Sequence, residues 1–350
     1  MSKQLIKGNE AVVYGALLGG ATHFFGYPIT PASEIAHAAA AMFPASGRFF
    51  LQAESEVSVI NMLYGAASAG ARAMTASSGP GMSLMMEGCS YISCAELPCV
   101  VVDVQRAGPG LGNIWPEQGD YDTTATAGGH GNYKNVVLAP NSCQEMCDFT
   151  YKAFQIADEW RTLVIILSDA YIGQMMEPVA LPTEVKHGVR KDWALYGDKE
   201  SRKNLITSIF MNQKIMWDVN VNLQNKYKKM EEELVEYEEV SVDDADAIFV
   251  AFGITARVCL TALKEMRKKG LKVGLFRPKT LFPFPKVRLA ELAKSTKKFI
   301  VAELNNGQMA KDVELAIQSR IPVLRYNWYG GTVPSIEEII ERTEKDVGEN

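Results

Sequence analysis

Residues 98–105, Pro-Cys-Val-Val-Val-Asp-Val-Gln, are apolar almost without a break and end against Arg106 and a Gly-Pro-Gly turn. A strand with one wet face alternates apolar and polar residues. A strand without that alternation is buried on both faces, as happens where helices cover both sides of a parallel sheet. The flanking segments extend the pattern. From residue 9 to about 175 the chain reads helix (NEAVVYGALLGG), strand (ATHFFGY), helix (ASEIAHAAAAMF), strand (RFFLQAE), helix (SEVSVINMLYGAASAG) and strand (RAMTAS). A Gly-Pro-Gly turn, the helix SLMMEGCSYISCAEL, the apolar strand, a glycine-rich loop, the strand NVVLAP, a helix over SCQEMCDFTYKAFQIADEW and the strand TLVIILSD follow. This order predicts a doubly wound α/β domain.

The pattern breaks after residue 180. A polar, irregular stretch leads into residues 204–238, which read as one long helix with an apolar stripe and a charged end. It is either a connector or a helix that packs on a partner. A smaller α/β unit begins near 241, with strands DAIFVAFG, KVGLFRP, KKFIVAEL and PVLRYNW separated by helices. The expected division is 1–180, 181–240 and 241–350, in keeping with two domains for a chain of 350 residues.

Composition narrows the partners. A net charge of −5 without a basic run argues against nucleic acid or an anionic membrane. No apolar run reaches membrane-spanning length, and the lysines of the first ten residues are not followed by the apolar stretch of a secretory leader, so a cytoplasmic protein is expected. The six cysteines have neither zinc-ligand nor iron–sulfur spacing and read as reduced, buried thiols. No metal site is expected on this chain.

In an open parallel sheet, ligands bind beyond the carboxyl ends of the strands. Four segments follow strands and should meet at one rim: YPITP, QAESE, SSGPG and QRAGPG. Thr30 is fenced by Pro28 and Pro31, which restrict the backbone around it; it is a rigid site residue or an N-cap of the next helix. Glu56 falls in the first turn of a helix, on the same face as Ile60, Leu63 and Ala67. Arg106 ends the apolar strand, where its fork could hold a carboxylate, or it pairs with Asp103 or Glu96. Tyr27, Pro28 and Ile29 of the first turn and Ser78 and Gly79 of the third are candidate cofactor contacts, since glycine lets a ligand approach the backbone. The loop 107–133 is long and glycine-rich and contains His130, a weaker candidate.

With these residues the chain resembles the α subunits of 2-oxoacid:ferredoxin oxidoreductases, the branched-chain (2-oxoisovalerate) type first and the 2-oxoglutarate type next. The segments KGNEAVVYGAL, GYPITPASEI, QAESEVSVINMLYGAASAGARAMTASSGPG, AELPCVVVDVQRAGPGLGN, LAPNSCQEM, FGITARV and FRPKTLFPFP carry the likeness over nearly the whole length. The resemblance implies a pyrimidine-type thiamine diphosphate domain followed by a transketolase-C-like domain. It implies that Glu56, the second glutamate of Glu-Ser-Glu, hydrogen-bonds the cofactor's pyrimidine ring, and that Thr30 and Arg106 hold the 2-oxoacid carboxylate. It further implies that thiamine diphosphate is shared with a β subunit bearing Mg²⁺, the diphosphate site and iron–sulfur clusters, that a γ subunit completes the core, that coenzyme A is the acyl acceptor, and that a ferredoxin or ferredoxin-like subunit takes the electrons. The chain would be active only with these partners. Two other readings stand beside this one: the β subunit of an NAD-linked 2-oxoacid dehydrogenase E1 component, and a non-catalytic α/β partner subunit.

Overall fold

The computed structural model describes residues 3–126 and 128–348, so Ala127 of the long loop and the terminal residues 1, 2, 349 and 350 lie outside the description. The first half runs β1 (Gln4–Lys7), α1 (Gly8–Leu18), β2 (His23–Gly26), α2 (Ser33–Ala45), β3 (Phe49–Gln52), α3 (Glu56–Ser68), β4 (Ala73–Ser77), α4 (Gly79–Cys94) and β5 (Cys99–Gln105). It continues through α5 (Tyr121–Ala125), β6 (Val136–Leu138), α6 (Cys143–Trp160), β7 (Leu163–Asp169), α7 (Ala170–Gln174) and β8 (Met176–Val179). The second half runs α8 (Gln213–Glu233), β9 (Tyr237–Val240), β10 (Ala247–Val250), α9 (Gly253–Lys268), β11 (Val273–Pro278), β12 (Thr280–Phe282), α10 (Lys286–Leu292), β13 (Lys298–Glu303), α11 (Gln308–Ile317), β14 (Val323–Asn327) and α12 (Ile336–Gly348).

Two sheets carry the fold. The larger has the order β12-β6-β7-β5-β4-β2-β3, and all its pairings are parallel except that of β12. The smaller is β14-β13-β10-β11-β9, parallel but for β9. Every residue of β5 and β7 is buried, as the unbroken apolar pattern requires. Right-handed crossovers place α1, α2 and α6 on one face and α3 and α4 on the other. Helices α1 and α6 touch backbone to backbone at Gly15, where a β-carbon would lie 2.2 Å from the Cys147 carbonyl oxygen. Local signals start the helices. Ser142 Oγ accepts from Glu145 N at 3.1 Å, while Glu145 Oε2 accepts from Asn141 N at 3.0 Å, close to the reciprocal capping-box pattern.

The cysteines are free, five of the six buried, and burial pushes Cys89, Cys143, Cys147 and Cys259 up to about 12.

The region 204–238 departs from expectation. The helix occupies only 213–233, because Asn212 caps it through Oδ1, which accepts from Lys214 N and Ile215 N. Downstream, Tyr237–Val240 is an edge strand paired antiparallel with β11. Helix α8 lies on its own chain. Leu223, Tyr227 and Met230 are buried, and Lys226 pairs with Glu96 at 2.9 Å. Its outer side leaves Trp217 70% exposed.

Strand β1 pairs antiparallel with β8, a two-stranded ribbon outside both main sheets. Among the described residues no helix is long and apolar enough to cross a membrane.

Candidate functional site

Strands β5, β4, β2 and β3 are neighbours and parallel, so their carboxyl ends form one rim. The four segments expected to converge do so. Beyond β2 the turn Tyr27–Pro31 leaves Tyr27, Pro28 and Thr30 exposed and Ile29 half-buried. Asn9, fully buried at the start of α1, holds this turn by donating from Nδ2 to the Pro31 carbonyl at 2.9 Å. Thr30 does not cap α2; that position belongs to Ala32, without a side-chain cap.

Arg106 reaches this turn from the end of β5. Its Nη1 donates to the Thr30 carbonyl at 2.8 Å and its Nη2 to the Leu111 carbonyl at 2.9 Å, while Nε is buried without a partner. It pairs with neither Asp103 nor Glu96; Glu96 is taken by Lys226. Backbone pairing of Arg106 with Pro116, and of Ala107 N with the Trp115 carbonyl at 2.9 Å, folds the loop back beside it.

Glu56 opens α3, where Ser55 caps the helix by accepting from Ser58 N at 3.3 Å. It is only 5% exposed, and its side chain makes no hydrogen bond or ion pair among the described residues. Space for it exists because residue 81 is glycine: a β-carbon there would lie 2.5 Å from Glu56 Oε1 and 2.1 Å from Ser77 Oγ. Ser77 and Ser78, at the β4–α4 junction, are buried with unpartnered hydroxyls, and Gly79 begins α4.

Two cavities open at the rim. One of about 890 Å³ lies between Gly79, Arg106, Gly108 and Asp120 of the first unit and Asn305 and Tyr329 of the second. Another of about 680 Å³ is lined by Thr30, Glu34, Trp115 and Tyr171. Arg106 and Thr30 therefore line different cavities although they are hydrogen-bonded to each other, and Glu56 lines neither. His130 is exposed, set edge-on to Tyr91 at 5.8 Å and away from both cavities.

Residues that the sequence reading passed over complete the site. Asp103, inside the apolar strand, is fully buried; burial and then the neighbouring Asp120 carboxyl hold its carboxyl well above the usual range. Asp120 is pushed up to about 6, chiefly by burial. The one polar residue among the valines of β5 was the available signal.

Gln118 and Asp169 join the two units. Gln118 donates from Nε2 to the Phe252 carbonyl at 2.9 Å and accepts from Leu304 N at 3.0 Å. Asp169 caps α7 by accepting from Ile172 N and also accepts from Ile254 N, each at 3.0 Å. Gly253, with φ +54°, makes this closeness possible; a β-carbon would sit 2.8 Å from Asp169 Oδ2.

The rim thus offers an unpaired buried carboxylate, two unpartnered hydroxyls and an arginine with one free buried donor. This set suits a polar heteroaromatic ring against Glu56 and an anionic substrate group near Arg106.

Comparison with known proteins agrees. Residues 14–241 match the family model described as the thiamine diphosphate-binding domain of pyruvate flavodoxin/ferredoxin oxidoreductases, and residues 245–339 match core domain II of pyruvate:ferredoxin oxidoreductase. The chain is 51% identical to the ketoisovalerate oxidoreductase subunit VorB of Methanothermobacter thermautotrophicus, covering 100% of this chain and 99% of that one. It is 38% identical to the 2-oxoglutarate synthase subunit KorA of Archaeoglobus fulgidus, over 97% and 99% of the two chains. The 2-oxoglutarate:ferredoxin oxidoreductase of Magnetococcus marinus superposes with a TM-score of 0.91 at 29% identity, covering 99% of this chain and 65% of that longer one. A split-gene transketolase superposes at 0.61 with 15% identity, a likeness of fold alone. These relatives do not favour an NAD-linked dehydrogenase component or a non-catalytic subunit. The chain belongs to the 2-oxoacid:ferredoxin oxidoreductases, as a subunit made of their thiamine diphosphate-binding domain and core domain II.

Proposed function

We propose that this chain supplies the aminopyrimidine half of a thiamine diphosphate site and the substrate-carboxylate contacts of a 2-oxoisovalerate:ferredoxin oxidoreductase, with 2-oxoglutarate as the second choice of substrate. The observation that carries the reading is Glu56: buried at a strand-end rim, without a partner, in a space kept open by Gly81. A carboxylate so placed is costly unless a ligand completes it. When bound, thiamine diphosphate supplies the electron sink for cleaving the bond between the 2-oxo carbon and its carboxylate.

The chain's own residues bind and orient. Glu56 accepts a hydrogen bond from the pyrimidine ring and fixes its tautomer. Tyr27, Pro28, Ile29, Ser78 and Gly79 border the cofactor. Arg106 holds the Thr30 turn in place and turns its free Nε toward the substrate carboxylate, with the Thr30 hydroxyl beside it. Mg²⁺, the diphosphate contacts and the iron–sulfur clusters belong to a β subunit, a γ subunit completes the core, coenzyme A receives the acyl group and ferredoxin the electrons. The division into 1–180, 181–240 and 241–350 describes the working units, and the outer side of α8 faces a partner subunit. The chain works in the cytoplasm.

The test is a substrate panel on the purified complex with viologen as acceptor: 2-oxoisovalerate, 2-oxoglutarate, pyruvate and an aryl 2-oxoacid. A kcat/KM highest for 2-oxoisovalerate supports the assignment. Coenzyme A-dependent viologen reduction with none of the four overturns it.

A further inference from the structure

Four buried polar groups run from Glu56 to the larger cavity. Ser77 Oγ faces the same point beside Gly81 as Glu56 Oε1, at 2.1 and 2.5 Å from a β-carbon built there. Asp103 is the register partner of Ser77 on the adjacent parallel strand, so both side chains leave the same face of the sheet. Asp120 faces Asp103, and its carboxylate oxygens lie 3.6 and 3.8 Å from a β-carbon built on Gly79. Asp120 also lines the 890 Å³ cavity. Ser77 Oγ, both oxygens of Asp103 and Asp120 Oδ2 are buried and unsatisfied by hydrogen bonds of good geometry.

A structural role does not account for this row. An aspartate in the middle of a fully buried strand, facing a second carboxyl, costs far more than the valine that its neighbours use. Its remaining surroundings do not neutralise it. Asp120 feels Glu117 on its own loop as well as Asp103, against Arg106 and the Gly79 N–H on the other side.

We propose that Ser77, Asp103 and Asp120 form a proton path between Glu56 and the water of the larger cavity, with the two aspartates holding one proton between them. The inference rests on the proposed activity, which creates the need. A 2-oxoacid anion and a thiol become a thioester, carbon dioxide, one proton and two electrons. The electrons leave to ferredoxin, and the thiol's proton must leave a closed site. A serine hydroxyl both donates and accepts, so Ser77 links Glu56 to the acid pair without holding charge. The aspartates are relay groups: they touch neither substrate nor cofactor. Their titration fits the task, since burial and mutual proximity keep the Asp103 carboxyl protonated well above the usual range and put Asp120 at about 6.

The purified complex gives two independent readouts. In infrared spectra at neutral pH it should show a protonated-carboxyl C=O band that Asp103→Asn removes. With 2-oxoisovalerate, Asp103→Asn and Ser77→Ala should each lower kcat by at least about tenfold, leave KM unchanged and enlarge the solvent deuterium isotope effect. Co-purification of the subunits and circular dichroism report assembly; should Asp103→Asn fail to assemble, Ser77→Ala carries the kinetic arm. Absence of the carboxyl band, or wild-type kcat and isotope effect in Ser77→Ala, overturns the path. A wild-type complex that oxidises no 2-oxoacid would overturn the functional assignment instead, and the infrared band still decides whether the pair holds a proton.

Discussion

Arg106 meets Thr30 through the peptide and not the side chain: Nη1 donates to the Thr30 carbonyl oxygen at 2.8 Å. The second nitrogen of the fork holds the Leu111 carbonyl at 2.9 Å, so one guanidinium fixes two loops and keeps Nε for a third partner. A lysine has no such fork. Arg106→Lys should therefore act like Arg106→Ala, raising KM for the 2-oxoacid by about tenfold or more with a smaller fall in kcat. Steady-state viologen reduction measures both constants, and an unchanged KM would remove Arg106 from the carboxylate role.

Glu56→Gln keeps the shape of the side chain and Ser55's cap on α3, but not the charge. Turnover should fall by about 10²–10⁴-fold while the circular dichroism spectrum and subunit assembly stay as in the wild type. A fully active Glu56→Ala complex would show the mechanism to be wrong.

Gly81→Ala places a methyl group 2.1 Å from Ser77 Oγ and 2.5 Å from Glu56 Oε1. Something must move, and both neighbours are buried. The expected cost is about 1–3 kcal/mol in urea denaturation, with a loss of activity approaching that of Glu56→Gln. Wild-type stability and activity together would mean that this contact relaxes freely and that Gly81 does not set the glutamate's position.

Asp169 is fully buried and sits at about 6, against an ordinary 3.8, with burial as the main cause. Its folded-state value lies above its unfolded value, so the unfolded chain releases the proton first as pH rises. The stability tied to Asp169 is therefore fully present below about pH 4 and is lost as pH climbs through about 6. Between pH 4 and 7 the advantage of wild type over Asp169→Asn should shrink by on the order of 3 kcal/mol. Asp120 titrates in both proteins and cancels in the difference. Parallel stability curves for the two proteins across that range would exclude Asp169 as the source.

The apolar runs of β5, β7, β10 and β13 were readable in the sequence because burial on both faces leaves an unbroken signature. So was the convergence of Thr30, Ser78, Gly79 and Arg106, which follows from parallel strands alone. Tyr237–Val240 was not, since Glu-rich residues after a charged helix favour continuing it, and only pairing with β11 makes them a strand. Helix α8 starts at Gln213 on the Asn212 cap, a local signal present in the sequence and overridden there by the longer apolar stripe. Asp103 and Asp120 are 17 residues apart in number but neighbours in space, and no local pattern announces that meeting. Gln118 and Asp169 join the units through partners in the second half, which sequence spacing does not reveal.

Strand β12 belongs by sequence to the second unit and by hydrogen bonding to the first, where Thr280 and Phe282 pair with Leu138 and Val137. The two halves are thus stitched, not merely apposed. A chain cut near residue 240 would leave β6 with a bare edge of unpaired peptide groups, the kind of edge on which protein chains aggregate. Division into separately made pieces at that point demands that the C-terminal piece restore its strand in trans. The unit that folds, moves and can be inherited intact is the whole length from Gln4 to Gly348.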